Sequence, residues 1–474
     1  MKINKRKIKK IFLITISVIL LFSIYLNTYL LLKYNILPFK YLLVYFVIVG
    51  LIPILLIFFT IFIRLPKIWR IILPIIEIIY IIILFVVFFY LNQTFNFLDE
   101  FTSGFDYETK NYYVLTLNES GYNKIDNLEN KKIGYSNGLD LSITKAIETI
   151  ERKVDLNHQE YNGFTELFNA LENKEIDSVL IIDGFYDLLK ESENTTVNKT
   201  TIIYEFSIKE KINEIKKDVD VTKETFNIYL SGMDSYGSVT DKTLSDVNIL
   251  MNINPQTNKI LMISIPRDYY VELAGFKQKD KLTHAGIYGV ETSVKTIENL
   301  LDVEINYYVK VNYNALIKLV DALGGVDVYS KYAFTSTESY IKFKKGYNTL
   351  NGREALEFVR TRKAFLEGDR VRGENQQAMI QAIIKKASDV SILLKYDDIL
   401  KSLEGCFTTN ISTDKIMSIV NMQLDKMPSW SLESISLNGS DSHNYTYTYP
   451  TQELYVMIPN EETITTAKNM LKES

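Results

Sequence analysis

The order of hydrophobic and polar positions divides the chain into three regions of different texture. Residues 11–32 carry no charge, and 22 residues suffice to cross a bilayer as a helix. A second uncharged run, 41–63, lies between Lys40 and Arg64, and a third, 71–91, is interrupted only by Glu77. Three membrane helices are therefore expected within 11–91. After about Asn92 the pattern shortens. Apolar runs at 112–117, 132–135 and 178–182 alternate with amphipathic stretches at 141–153 and 164–171, as in βαβ units. This predicts a small α/β accessory domain over 92–220, whose end, 209–220 (KEKINEIKKDVD), reads as a solvated linker.

The remainder, 221–474, reads as a second α/β domain. Strands are expected at 226–230, 247–252 and 259–265, with NPQTN at 254–258 as the turn between the last two. A helix at 290–301, a strand at 304–311 and a helix at 313–323 follow. In that last helix Leu316, Leu319, Val320 and Leu323 share one apolar face. Such a face fits core packing and equally fits the wall of a groove for a long hydrocarbon chain. Gly324 and Gly325 turn the chain into a strand at 326–329, a further strand is read at 355–359, and a helix starts near Gly368.

Charge adds direction. The tail 1–10 holds six basic residues and the loop 64–70 (RLPKIWR) is also basic, whereas 33–40 holds two lysines. The tail and the 64–70 loop are thus expected on the cytoplasmic side, with everything after Asn92 extracellular. Glu77 is read as snorkelling towards Arg70. A net charge of −4 argues against a nucleic-acid partner. The single cysteine, Cys406, excludes an internal disulfide and a cysteine-built metal site.

Candidate chemistry gathers at element ends. Asp234 follows the first strand of the second domain, Asp246 precedes the next, and Arg267 follows the third. Two carboxylates and a guanidinium brought together suit a divalent cation with a bound anion, a diphosphate being the natural candidate. Singly, each is ordinary turn chemistry. Arg360 and Arg362 are two apart, and on a strand end both would face one way, as expected if an anion sits between them. Asp369, Arg372 and Gln376 fall on one side of the helix starting near Gly368, whose N-terminus itself favours phosphate. An Asp369–Arg372 surface pair is the plainer alternative. Lys281 and His284, in DKLTHAGIYG at 280–289, are weaker candidates in a segment that reads as a lid or as structural hydrogen bonding.

The segments SGMDSYG, SDVNILMNIN, SIPRDYYV, DKLTHAGIYGV, VDALGGVDVY, LNGREALEFVRTR and GDRVRGENQQ occur in this order between about Phe226 and Ala387. Together they resemble the LytR-CpsA-Psr (LCP) proteins of Gram-positive cell envelopes, and the three spans followed by an accessory domain resemble the capsule-type members. The resemblance implies an α/β domain with a mixed sheet, flanked by helices that enclose a lipid tunnel. It implies an enzyme moving an anionic glycopolymer, capsular or teichoic-acid-like, from a polyprenyl-pyrophosphate carrier to peptidoglycan through a phosphodiester bond. By motif position Asp234 and Asp246 would hold Mg²⁺, and Arg267, Arg360, Arg362, Arg372 and Gln376 would grip the pyrophosphate. Asp369 would be linked to the metal or act as the base, with Arg267 and Arg372 catalytic beside it. Where relatives often have an arginine before the SD of SDVNILM, this chain has Leu244, so one anion contact would be weaker or be supplied by Lys242. Two other classes remain open: a non-catalytic scaffold that binds the lipid carrier, and a regulator of envelope assembly or transcription. The latter is disfavoured because the cytoplasmic portion is a short tail.

Overall fold

The computed structural model describes residues 5–35, 37–103, 107–136, 142–191, 196–212, 215, 217–233, 236–365, 368–389, 392, 399 and 401–474. By internal contacts the chain divides into two units, Met1–Ser103 with Ile411–Ser429, and Gly104–Asn410 with Trp430–Ser474. Residues 411–429, expected within the second α/β domain, are thus grouped with the apolar helices.

In the first unit, helices α1 (Lys5–Lys33), α2 (Phe39–Phe62) and α3 (Trp69–Ser103) each contain a stretch long and apolar enough to cross a membrane. Inside α2 a π-helical turn, Phe46–Leu51, precedes Pro53. A proline brings no N–H and its ring crowds the carbonyl four residues back, so the ladder widens there. Glu77 does not snorkel. It is fully buried, with Ser17 Oγ donating to its Oε2 at 3.3 Å, while Arg70 Nε donates to the Leu65 carbonyl at 2.6 Å. Asn27 likewise donates across to the Leu84 carbonyl at 3.0 Å. Polar side chains in an apolar surrounding gain more from a partner helix than from a long reach to the interface. A helix at Thr413–Lys426 belongs to the same unit, with Asn421 donating to the Asn35 carbonyl at 2.8 Å and Lys40 paired with Asp425 at 3.5 Å.

The second unit opens with a five-stranded sheet of order β3-β2-β4-β1-β5, from β1 (Tyr107–Leu117), β2 (Lys131–Ser136), β3 (Leu156–Tyr161), β4 (Ser178–Ile182) and β5 (Thr200–Lys211). Strands β2, β3 and β4 pair in parallel, and β1 is antiparallel to both β4 and β5. Helices α4 (Ile143–Glu151), α5 (Phe164–Glu172) and α6 (Asp183–Glu191) accompany the sheet, burying Ile143, Ala146, Leu167, Phe168, Phe185 and Leu189 in its core.

The second sheet is mixed. Its strands are β6 (Phe226–Gly232), β7 (Val247–Asn254), β8 (Lys259–Ser264), β9 (Tyr307–Val311), a hairpin of β10 (Val326–Ser330) with β11 (Gly346–Leu350) packed nearby, and then β12 (Phe407–Thr409) and β13 (Ser431–Ser436). The six-stranded order is β12-β9-β6-β7-β8-β13, with β9 parallel to β6, β13 parallel to β8, and the rest antiparallel. Helices of this domain include α7 (Val290–Leu301), α8 (Tyr313–Ala322), α9 (Gly352–Arg360) and α10 (Gly368–Ala387).

Two further expectations are corrected here. Residues 355–359 are helical, not a strand. Asn351 caps α9 through a reciprocal exchange with Glu354, which gives the local sequence N-G-R-E a helix start that outweighs its apolar run. Residues 209–211 are not linker but the end of β5, and Glu210 is drawn into a buried ion cluster. Lys242 Nζ lies 2.7 Å from Glu210, Lys110 Nζ 3.5 Å, and Ser142 Oγ donates to the same carboxylate. Burial pushes the Glu210 carboxyl up, but the hydrogen bonds from Lys242 and Ser142 and the two lysine charges outweigh it and hold it at about 2.

Next to this cluster Glu108 of β1 accepts from the backbone N–H of Val290 at 3.0 Å, capping α7, and pairs with buried Lys310 at 3.3 Å. A carboxylate at a helix N-terminus is favoured by the dipole as well as by the hydrogen bond. Gly289 makes room for it. Its φ is +116°, and a Cβ there would stand 2.6 Å from Glu108 Oε2. Gly289→Ala is therefore expected to lower unfolding stability by ~1–3 kcal/mol. Glu108→Ala, which removes the carboxylate paired with buried Lys310, is expected to cost about 3–5 kcal/mol. Denaturant titration of each variant against the parent chain checks both.

Candidate active site

The antiparallel pairing of β6 with β7 and of β7 with β8 puts the end of β6, the start of β7 and the end of β8 on one edge of the sheet. Three segments named for their chemistry begin there. Asp246, just before β7, is fixed through its backbone, whose N–H donates to the Gly232 carbonyl at 2.8 Å. Ser245 beside it is buried and shares hydrogen bonds with Tyr229 at 3.0 Å, Ser231 at 2.7 Å and Asn248 at 3.0 Å. A buried hydroxyl network of this kind holds one backbone geometry, because each unmade bond would leave a polar group stranded.

Arg267, after β8, donates through Nη1 to Asp246 Oδ1, and its Nε lies 3.7 Å from Asp268 Oδ2. Asp268 is in turn bound by Lys281 at 2.9 Å. Burial works against ionisation of Asp268, yet the charges of Lys281 and Arg267 hold its carboxyl below the ordinary aspartate value. Lys281 therefore acts on the site through Asp268. His284 Nδ1 lies 2.6 Å from Asp280 Oδ1, and the other oxygen of that fully buried carboxylate accepts from the Thr448 backbone N–H at 2.7 Å. The 282–287 segment is buried throughout, so it is packed core in place of a lid.

Behind the edge runs a cavity of ≈ 350 Å³, within the range of ligand pockets (about 300–1,000 Å³). Asp246, Arg360, Arg372 and Gln376 line it, and the rest of its wall is almost wholly apolar: Leu230, Val247 and Val309 from the sheet, Leu316 and Leu319 from α8, and Met379, Ile380 and Ile383 from α10. Arg372 is 4% exposed. Arg372 and Gln376 point into the cavity because they lie four positions apart on one face of α10.

The sequence-derived candidates divide as follows. Asp246, Arg360, Arg372 and Gln376 share the cavity, and Arg267 joins it through Asp246. Arg362 is exposed and does not line the wall. The two-residue alternation that would have set it beside Arg360 belongs to strands, and here Arg360 ends a helix. Arg360 meets carboxylates after all: Glu357 one helical turn back, and Glu338 at 2.7 Å. Its Nε is buried without a hydrogen-bond partner among the described residues. Lys242 is committed to Glu210 and the Tyr288 carbonyl, so it does not replace the missing arginine. Asp234 lies outside the described residues. Asp369 stands in the first turn of α10, but its side chain lies outside them too. Sequence reasoning missed Glu357, which is buried against Arg360. The signal was present in the i, i+3 spacing of Glu357 and Arg360 on a capped helix.

A profile of the LytR_cpsA_psr family matches residues 188–465, more than half of the chain. The chain belongs to this family. Among its LytR-CpsA-Psr relatives, the polyisoprenyl-teichoic acid–peptidoglycan teichoic acid transferase TagU of Bacillus subtilis (strain 168) is 40% identical over 218 residues, covering 45% of this chain and 70% of the relative. The protein of the same name from Bacillus licheniformis is 39% identical over 219 residues, with the same shares covered. The crystal structure of B. subtilis TagV aligns over 53% of this chain and 97% of its own, at 30% identity and a TM-score of 0.46. The first four strands of the accessory sheet fall before the matched residues, so the LytR-CpsA-Psr pattern covers little of that domain.

The site makes one solution prediction for this LytR-CpsA-Psr protein. Burial penalises ionised Asp280, but the charge and hydrogen bond of His284, with those from Thr448, hold its carboxyl below the ordinary 3.8. A carboxyl lower in the folded state than in the unfolded one contributes stability above the unfolded value, and that contribution is lost as pH falls through the folded value. Melting temperature is accordingly expected to fall as pH drops below about 4. Asp280→Asn is expected to be less stable at neutral pH and to lose less on acidification, as followed by circular dichroism melts across that range.

Proposed function

We propose that the chain is an enzyme that transfers an anionic glycopolymer from a polyprenyl-pyrophosphate carrier to peptidoglycan. The observation that carries this reading is the division of one cavity into an apolar bore and a mouth of guanidiniums, amide and carboxylate. A ligand complementary to it has a long hydrocarbon tail and a polyanionic head. Peptidoglycan as acceptor is supported by the named activity of the relatives.

The residues present suit Mg²⁺ beside that head. Asp246 offers a hard carboxylate oxygen among arginines, the setting in which this ion binds substrate phosphates with few protein ligands. Asp246 would hold it, with Asp234 as second ligand by sequence position. Bound there, the ion would neutralise diphosphate charge and polarise phosphorus.

The chain's own residues account for the remaining steps. Arg372, Gln376 and Arg360 orient the diphosphate from α10 and α9, and Arg360 Nε is a buried donor still to be satisfied. Arg267 is held in place by Asp246 and Asp268, so its charge is already oriented before the substrate arrives. The acceptor hydroxyl attacks the phosphorus that carries the glycopolymer. The bond from that phosphorus to the bridging oxygen breaks, and polyprenyl phosphate leaves with the electron pair. The hydroxyl proton passes to a carboxylate, for which Asp369 is the proposed base. Confinement to the outer membrane face, the orientation read from the basic tail, would put the site where lipid donor and wall acceptor meet.

Labelled glycopolymer on its lipid carrier, wall fragments and the full chain in detergent give the test. Arg267→Ala and Arg372→Ala are expected to lower transfer by ~10²–10³, whereas Arg362→Ala, on the exposed surface, changes it by about twofold or less. Chelation of divalent ions is expected to stop transfer and added Mg²⁺ to restore it. Undiminished transfer in Arg267→Ala would overturn the proposed site, and bound lipid without transfer in the parent chain would favour a carrier-binding scaffold.

A further inference from the structure

The helix that supplies Arg372 and Gln376 has a second working face. On its other side an open groove of ≈ 410 Å³ runs between α10, the β10–β11 hairpin and β13. Glu374 borders this groove and Gln376 borders the lipid-type cavity, two positions apart on one helix. Along the helix axis the groove thus begins within one 5.4 Å turn of the diphosphate grip, on the opposite face of the helix.

Its distinctive feature is a pair of rings. Tyr329 and Tyr347 stand directly opposite each other in the hairpin register, with centroids 5.3 Å apart and planes at 73°. They are 49% and 63% exposed. The hairpin does not need them for its core, because Val326, Val328 and Leu350 on its other face are the buried side chains. Two large aromatic faces left in water beside hydrogen-bonding side chains mark a recognition surface more than a packing one. Tyrosine suits that use, offering an apolar body and a polar tip.

The polar lining fits a ligand rich in hydroxyl and amide groups. Gln381 and Ser434 border the groove, with a long 3.4 Å contact between them, so both retain hydrogen-bonding capacity. The charges are balanced: Asp327, Glu374 and Asp389 face Lys331, Lys385 and Lys386, and Glu374 is already engaged with Lys331 at 3.1 Å and Arg370 at 2.9 Å. A strongly anionic polymer would find no positive field here. A glycan of uncharged amino sugars meets both requirements, with the C–H face of each ring against a tyrosine and its hydroxyl and acetamido groups on the amides.

We propose that this groove is the acceptor subsite, in which Tyr329 and Tyr347 hold a peptidoglycan glycan strand beside the transfer site. The inference rests on the transfer reading above, yet its test does not. Soluble lipid-free peptidoglycan fragments are titrated calorimetrically into the full chain in detergent, with no donor and no divalent ion. Tyr329→Ala and Tyr347→Ala are each expected to weaken binding about tenfold, while Tyr347→Trp keeps the affinity within about twofold. The side chains are exposed, and unchanged melting temperatures will show that the variants fold. Equal fragment affinity in the parent and both alanine variants overturns the proposal. So does a result in which the alanine variants lose affinity only for a soluble anionic teichoic-type polymer. Undiminished transfer by Arg267→Ala together with weakened fragment binding in Tyr329→Ala would sink the transfer site and uphold this groove.

Discussion

The arrangement of the site depends on one largely enclosed guanidinium. Arg267 sits between Asp246 and Asp268, and Asp268 is held in turn by Lys281. Taking such charges out of water is costly unless each finds partners of the right geometry, and removing one partner leaves the others uncompensated. The cluster is stable only if the ends of β6, β7 and β8 lie on one edge, and antiparallel pairing provides that. The hydroxyls of Ser231, Ser245 and Tyr229, bonded to one another under that edge, leave Asp246 little freedom of position. Charge at the mouth and order in the sheet are therefore one constraint.

Behind the mouth the helices serve two masters with one apolar face. In α8, Leu316 and Leu319 line the cavity at the border of the core, and Val320, with Leu323 just past the helix end, is buried in that core with Val326 and Phe358. A helix one residue further round would fill the cavity and expose the core. In α10 the division is between two cavities, since Arg372, Gln376 and Ile380 look one way and Glu374, Gln377 and Gln381 the other. A single 20-residue helix thus borders both cavities without any loop between them.

The accessory sheet is joined to the second sheet by chemistry that a domain boundary seldom carries. Glu108 caps α7 and pairs with Lys310, and Glu210 gathers Lys110, Lys242 and Ser142. Backbone hydrogen bonds between Thr109 and the 240–242 segment run alongside, at 2.8 and 2.9 Å. Lys242 immediately precedes the stretch leading to Asp246, so the accessory domain bears on the loop that presents the site's described carboxylate. Leu244, Ile287 and Tyr449 also pack into the accessory core beside these ion pairs, and a buried joint of both kinds favours one fixed register over sliding.

The chain's own order of residues determined the three apolar helices, the strands at 226, 247 and 259 and the helices α7, α8 and α10, and it brought forward Asp246, Arg267, Arg372 and Gln376 as candidates. These follow from local causes: uncharged length, period-two and period-3.6 patterns, and polar residues at element ends. Tertiary structure alone decided the rest. The exception is α9, whose start was set by a local reciprocal cap in N-G-R-E that outweighs a strand-like run, and this turned Arg362 outward while giving Arg360 a buried carboxylate. The inward turn of Glu77 depended on Ser17, 60 residues away. The pairings of Glu108 and Glu210 depended on lysines brought in from distant strands. Local patterns record which face of an element is apolar, but a charged side chain is placed by whichever partner folding brings to it, and that partner is specified only when the chain has closed.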